Sequence, residues 1–226
     1  MKYATQILLS FLAAKANACG AELADGANEF NYDDVGDNWQ AEGFHSPVCA
    51  SGREQSPIDL TGGESNDLLS FVVSDHTNHV AEDEKHLERK THTLEMGLDS
   101  GLFDINFPDG SATQFTALQF HAHAPSEHTV DGEFHDLEIH FVHLHPDGDR
   151  FAVIGVFFSV NETDEANDFI AQLAFEDAFD EENPLGDVDV KDFLDGVDKS
   201  GYWHYDGSFT TPPCTEGVEW FVMKEV

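Results

Sequence analysis

The chain has 226 residues, 40% of them hydrophobic and 19 of them Phe, so one sizeable core can be buried, which excludes wholesale disorder and collagen-like or low-complexity architectures. Its 45 Asp and Glu against 10 Lys and Arg leave a net charge of −35, which excludes a nucleic-acid partner, because phosphate binding needs a basic surface. Such a charge self-repels at low ionic strength and suits high salt, divalent cations or plain solubility; it reports on the environment rather than on the chemistry.

In chain order, Lys2, the apolar run Ile7 to Ala14 and the small-x-small triplet Ala16-Asn17-Ala18 predict a signal peptide over residues 1–18, with cleavage after Ala18 and export of the remainder. A lipid-acceptor role for Cys19 fits poorly, since Ala16 stands where a larger aliphatic residue is usual. No later window approaches the roughly 18–20 apolar residues of a membrane span. An oxidising compartment permits a bridge between Cys49 and Cys214, or leaves two unrelated thiols. From Ala21 to Ser56 the residues Gly26, Gly36, Gly43, Pro47 and Gly52 break any period and predict a wrapping loop. Strand patterns then dominate, over Leu68 to Val73, Leu102 to Phe107, Gln114 to His123, Leu137 to His145 and Phe151 to Val160, the last two joined as a hairpin across Pro146-Asp147-Gly148. One helix is predicted from Glu165 to Phe175, where Ala166, Phe169, Ile170, Leu173 and Ala174 recur at helical spacing. Asn161-Glu162-Thr163 is a glycosylation triplet, and the acidic run from Glu176 to Glu182 reads as a solvated loop. Asp187-x-Asp189-x-Lys191 places a cation where a calcium loop needs a ligand, and no Walker or GxGxxG loop occurs.

The chemistry concentrates in Gln119-Phe120-His121-Ala122-His123. Residues two apart on a strand share a face, so His121 and His123 can aim at one point while Phe120 and Ala122 face away. The next strand offers Glu138-Ile139-His140-Phe141-Val142-His143, with Glu138, His140 and Val142 on one face. Three imidazoles on neighbouring strands leave a fourth tetrahedral position open, the geometry of a catalytic rather than a structural zinc. Gln119 and Glu138 each stand two places before a candidate ligand, where a side chain can accept the imidazole's other N–H and fix its tautomer. A lone His-x-His pair fits an exposed polar strand face equally well; His140 and the two polar partners favour a metal site.

Four blocks in order, Gln55-Ser56-Pro57-Ile58-Asp59-Leu60, Gln119 to Gly132, Glu138 to His143 and Gly207 to Pro213, resemble the alpha-class carbonic anhydrases. The resemblance spans about Tyr32 to Trp220 and is weakest near residues 61–90. It implies a mainly β (α+β) domain over 19–226, built on a central twisted, mostly antiparallel ten-stranded sheet with short surface helices. It also implies reversible hydration of carbon dioxide to bicarbonate by zinc-bound hydroxide. By position, His121, His123 and His140 are similar to the zinc ligands, with Gln119 and Glu138 behind them. Thr210 and Glu127 resemble the threonine and carboxylate that orient the nucleophile, and Thr211 the residue that helps to hold bicarbonate. Val142, Val153, Phe209, Val218 and Trp220 match the apolar wall that receives substrate, with Phe209 where leucine is usual. His92 is similar to the proton carrier, although Lys90-Thr91 depart from the family's segment and His79 and His86 are alternatives. Cys49 and Cys214 fall where exported relatives carry a disulfide. Relatives continue well beyond the position of Trp220 with sheet cover and a backbone carbonyl for the second zinc histidine, so a C-terminally truncated domain is expected. The other readings are a silent, carbonic-anhydrase-like binding module or an acidic matrix protein; halotolerance explains the same charge. The oligomeric state is not legible.

Overall fold

In the computed structural model the described residues are 47–62, 70–77, 88–89, 93–160, 167–173 and 188–225. The signal segment, His79, His86, His92, the Asn161 triplet and the acidic run lie outside them. The elements are α1 (Pro47–Ser51), β1 (Asp59–Leu60), β2 (Ser70–Thr77), β3 (Glu88–Arg89), β4 (Leu94–Gly97), β5 (Ser100–Asn106), β6 (Ala112–His123), β7 (Thr129–Val130), β8 (Glu133–Phe134), β9 (Leu137–Leu144), β10 (Phe151–Phe158), α2 (Asp168–Gln172), α3 (Val190–Gly196), β11 (Tyr202–Ser208) and β12 (Glu216–Met223).

Strands dominate because β-branched and aromatic residues crowd these segments and turn residues separate them. The main sheet runs β11-β12-β10-β9-β6-β4-β3, with β5 also on β6 and β2 on β5; β1, β7 and β8 form a separate ribbon. Nine strands of the described residues thus join where ten were expected. Pairing is antiparallel except between β10 and β12 in the main sheet, and between β1 and β7. The long β6 carries two partners along one edge, β5 against Ala112–Thr116 and β4 against Gln119–Ala122, and offers its other edge to β9.

The predicted β9–β10 hairpin is present, with Phe151 opposite Leu144. Seven strands had no sequence prediction, the short β1, β3, β4, β7 and β8 and the longer β11 and β12. β12 lies parallel to β10 and is buried on both faces from Trp220 to Met223, which erases the period-2 signal. The helix expected over 165–175 is described as α2, whose first N–H groups are capped by the Asn167 carboxamide. α1 interrupts the predicted wrapping loop. Asp189, weighed and rejected as a calcium ligand, caps α3 by accepting from the Asp192 N–H at 2.8 Å.

A Phe-rich core covers one face of the sheet and contains Phe103, Phe115, Phe120, Phe141 and Phe221, all essentially inaccessible to water. α2 and α3 cover it, and their Phe169 and Phe193 rings stack 4.2 Å apart. Each such side chain contributes roughly 1.5–3 kcal/mol on burial. The opposite face carries a smaller cluster of Val142, Phe151, Val153, Val218, Trp220 and neighbours, and the histidines.

Candidate metal centre

The register sets His121 of β6 directly opposite His140 of β9, and His123 opposite Glu138. Directly opposed residues share a face, so three imidazoles converge. Their rings lie 4.9–5.1 Å apart, and one ligand nitrogen from each falls within 4.8 Å of the others. His121 Nδ1 is 2.8 Å from the Gln119 side-chain oxygen, which accepts its hydrogen and leaves a lone pair on Nε2. His140 Nε2 faces Glu138 Oε1 at 2.8 Å, which leaves the lone pair on Nδ1. These two lone-pair nitrogens are 3.3 Å apart. On these tautomers neither nitrogen carries a hydrogen toward the other, and a cation between them would satisfy both lone pairs. The donor set fits a metal that takes three neutral imidazoles.

The electrostatics agree for two of the three histidines. Burial, with the neighbouring His123 and His140, holds His121 well below the usual imidazole range, and burial pushes His123 down to about 4 against the pull of Glu127. Both therefore keep their lone pairs at neutral pH. For His140 burial works against charge, but the Glu138 carboxylate and its hydrogen bond, with Glu127, outweigh it and raise the ring. Burial likewise opposes ionisation of Glu138, yet His128 and His140 hold its carboxyl well below the carboxylate range.

Glu138 organises the floor. Its Oε2 accepts from the backbone N–H groups of Glu127 and His128, each at 2.9 Å, and its Oε1 faces His128 Nδ1 at 2.7 Å. Gly155, opposite His140 on β10, gives this carboxylate its space: a Cβ there would stand 3.1 Å from Glu138 Oε1. Glu127 Oε2 lies 3.4 Å from His123 Nε2 and 3.9 Å from His140 Nδ1, placing a carboxylate beside two of the three histidines.

The apolar residues expected to form a wall come together: Val142, Val153, Val218 and Trp220 belong to one buried cluster, with Phe209 packed on it. Val153 is opposite Val142 on one side and Trp220 on the other. The Trp220 ring lies 4.8 Å from His140, and its indole N–H donates to the Ser208 carbonyl at 3.0 Å. That bond brings the loop after β11 beside the histidines. Thr210 is buried in this loop and Thr211 half-buried; Phe209 N–H donates to Thr215 and Cys214 N–H to Thr211. Cys49 and Cys214 are bridged, tying α1 to the same loop. Glu216 Oε1 accepts from the N–H groups of Arg53 and Glu54 and from the Gln55 amide, a second tie to that segment.

Sequence reasoning missed two contributors. His128 Nε2 lies 2.6 Å from the Tyr205 hydroxyl, itself 2.8 Å from Ser56 Oγ. Burial keeps the Tyr205 phenol protonated above its ordinary range. Tyr205 and Ser56 are 149 residues apart, and no periodicity announces a contact over that distance.

The family model described as eukaryotic-type carbonic anhydrase matches residues 34–226. "Alpha carbonic anhydrase 4" of Arabidopsis thaliana is 35% identical over 195 residues, covering 84% of this chain and 67% of the relative. "Dioscorin dioA3" of Dioscorea japonica is 31% identical over 242 residues, covering the whole of this chain and 83% of the relative. Among solved structures, the fungal alpha carbonic anhydrase from Aspergillus oryzae superposes with a TM-score of 0.66 at 29% identity, covering 88% of this chain and 83% of that one. Alpha carbonic anhydrases use zinc, and the three histidines here form a group able to hold a metal ion. The chain belongs to the eukaryotic-type, or alpha, carbonic anhydrase family.

Proposed function

We propose that this chain catalyses the reversible hydration of carbon dioxide to bicarbonate and a proton, with zinc held by His121, His123 and His140. The observation that carries this reading is the opposition of two imidazole lone pairs 3.3 Å apart beside an apolar wall. When bound, zinc supplies Lewis acidity that makes water a nucleophile near neutral pH. Gln119 and Glu138 hold the tautomers that turn the lone pairs inward. Carbon dioxide is apolar, and Val142, Val153, Val218, Trp220 and Phe209 offer it a dry surface beside the histidines. Thr210 and Glu127 orient the attacking oxygen, and Thr211 helps to seat the bicarbonate. His92 carries the released proton to solvent, a task suited to a group titrating near neutrality.

Residues 1–18 serve as a signal peptide for an exported domain over 19–226, a compartment consistent with the disulfide. The net charge of −35 suits a halotolerant surface, since hydrated carboxylates resist salt. A solved dioscorin structure, described as complexed with ascorbate and 28% identical to this chain, makes a binding role without hydration the second reading.

Stopped-flow hydration with metal stoichiometry in the same sample tests the proposal. One zinc per chain and hydration abolished in His140→Ala, together with the metal, is the expected result. Stoichiometric zinc with no hydration in the native chain would sink it in favour of the binding role.

A further inference from the structure

We propose that Glu95 sets the anion selectivity of the metal centre: it is a fixed negative charge at the rim that disfavours anionic ligands, bicarbonate included. The inference rests on the hydration reading. β4 places Leu94 opposite Ala122, Glu95 opposite His121, Met96 opposite Phe120 and Gly97 opposite Gln119. Met96 is buried in the Phe-rich core and Leu94 packs on it, so the residue between them points to the other face, where the histidines lie. Directly opposed side chains on an antiparallel pair stand about 4.5–5.5 Å apart at Cβ. A carboxylate is therefore the cross-strand neighbour of a metal ligand. Thr93 fixes this register, donating from its hydroxyl to the Ala122 carbonyl at 2.7 Å.

Glu95 differs in kind from Glu127 and Glu138. Glu138 is wholly buried and held by two imidazoles and two backbone N–H groups; Glu95, which has contacts of its own, is half-buried on the row that leads outward from His140 through His121 to β3. Its charge is close enough to act on a ligand at the centre and cannot replace an imidazole. The wall that receives carbon dioxide carries no charge, so an uncharged substrate is indifferent to Glu95. An anion pays a Coulomb penalty, which for unit charges several ångströms apart in a partly wetted site corresponds to about five- to tenfold in affinity. The consequence is easier release of bicarbonate and resistance to inorganic anions, a useful property beside a carboxylate-rich surface in salt. The group of His145, Asp147 and Asp149 at the β9–β10 turn has no comparable use, because the Arg150 guanidinium lies 2.8 Å from His145 Nε2 and sets a cation against it.

The test uses the full chain reconstituted with cobalt(II), whose visible spectrum reports ligands at the metal. Thiocyanate serves as the anionic probe and 1,2,4-triazole, uncharged at pH 8, as the neutral one. Glu95→Gln should bind thiocyanate about five- to tenfold more tightly and triazole within twofold of the native chain, with the gap narrowing as ionic strength rises. Glu95→Asp, which keeps the charge, should stay near native, and Glu95→Ala repeats the test if the glutamine variant does not fold. Unchanged thiocyanate affinity, or equal tightening of both probes, overturns the role of charge while leaving the hydration reading intact. A native chain that takes up no metal overturns the hydration reading, and this inference with it.

Discussion

The two faces of β6 and β9 are made by neighbouring residues and behave as different materials. Phe120, Ala122, Ile139 and Phe141 join the Phe-rich core, which excludes water and packs the strands against α2 and α3. Gln119, His121, His123, Glu138 and His140 occupy the other face, where polar groups are buried in mutual contact and nitrogen lone pairs are turned together. Hydrophobic transfer stabilises the first face whatever the detailed orientation of its rings. The second is costly to bury unless its hydrogen bonds are made, and its three imidazoles form a group able to hold a metal ion. One face therefore supplies stability and the other spends some of it on a preorganised site.

Substitutions that fall on one face or the other separate the two. The largest effect should come from the covalent tie behind the site. Replacing Cys49 and Cys214 by Ser opens a loop with a separation of 165 residues and should lower stability by up to about 5 kcal/mol in the chain-entropy account, read as a fall in denaturation midpoint. Phe141→Ala should cost about 3–5 kcal/mol through the cavity it leaves, with zinc stoichiometry unchanged at temperatures where the variant is folded; loss of metal without loss of stability would break the division of labour. Gln119→Ala should do the reverse, weakening zinc affinity about 10–100-fold in a chelator competition while the unfolding midpoint of the metal-free protein moves little.

The smallest effect concerns pH. The backbone N–H groups of Glu54 and Arg53, with the Gln55 amide, hold the Glu216 carboxyl below the usual carboxylate range against the opposing effect of desolvation. A carboxylate more acidic in the folded state stabilises above its unfolded pKa and loses that contribution as pH falls through the folded value. The stability difference between native and Glu216→Gln should therefore be flat above about pH 5 and shrink below it. A difference that grew on acidification would show that Glu216 is not the clip between β12 and the segment after α1.

Much of the site was legible because metal ligation needs few residue types at short spacing. His121 and His123 on one strand, His140 on the next and a polar residue two places before each pair's first member express a physical requirement, and the structure brings all five together. The apolar wall was legible only through the family resemblance, because Val218 and Trp220 sit on a strand buried on both faces, where alternation is lost. Tyr205 and Ser56 were illegible, since the path from His128 through the Tyr205 hydroxyl to Ser56 joins segments distant in sequence.

β6 marks the boundary between what the sequence determined and what folding decided. Local spacing alone established that His121 and His123 share a face opposite Phe120 and Ala122. It did not establish which face holds the core, because Phe115 and Ala117 lie at the same parity as the histidines and yet are buried with Phe120. A register shift between Ala117 and Gln119 reverses the alternation, so the Phe side chains before and after it reach the same core and the histidines turn to the opposite face. A one-residue irregularity of this kind is set by how β6 pairs with β9 across the sheet, a long-range constraint that no pattern along a single strand contains.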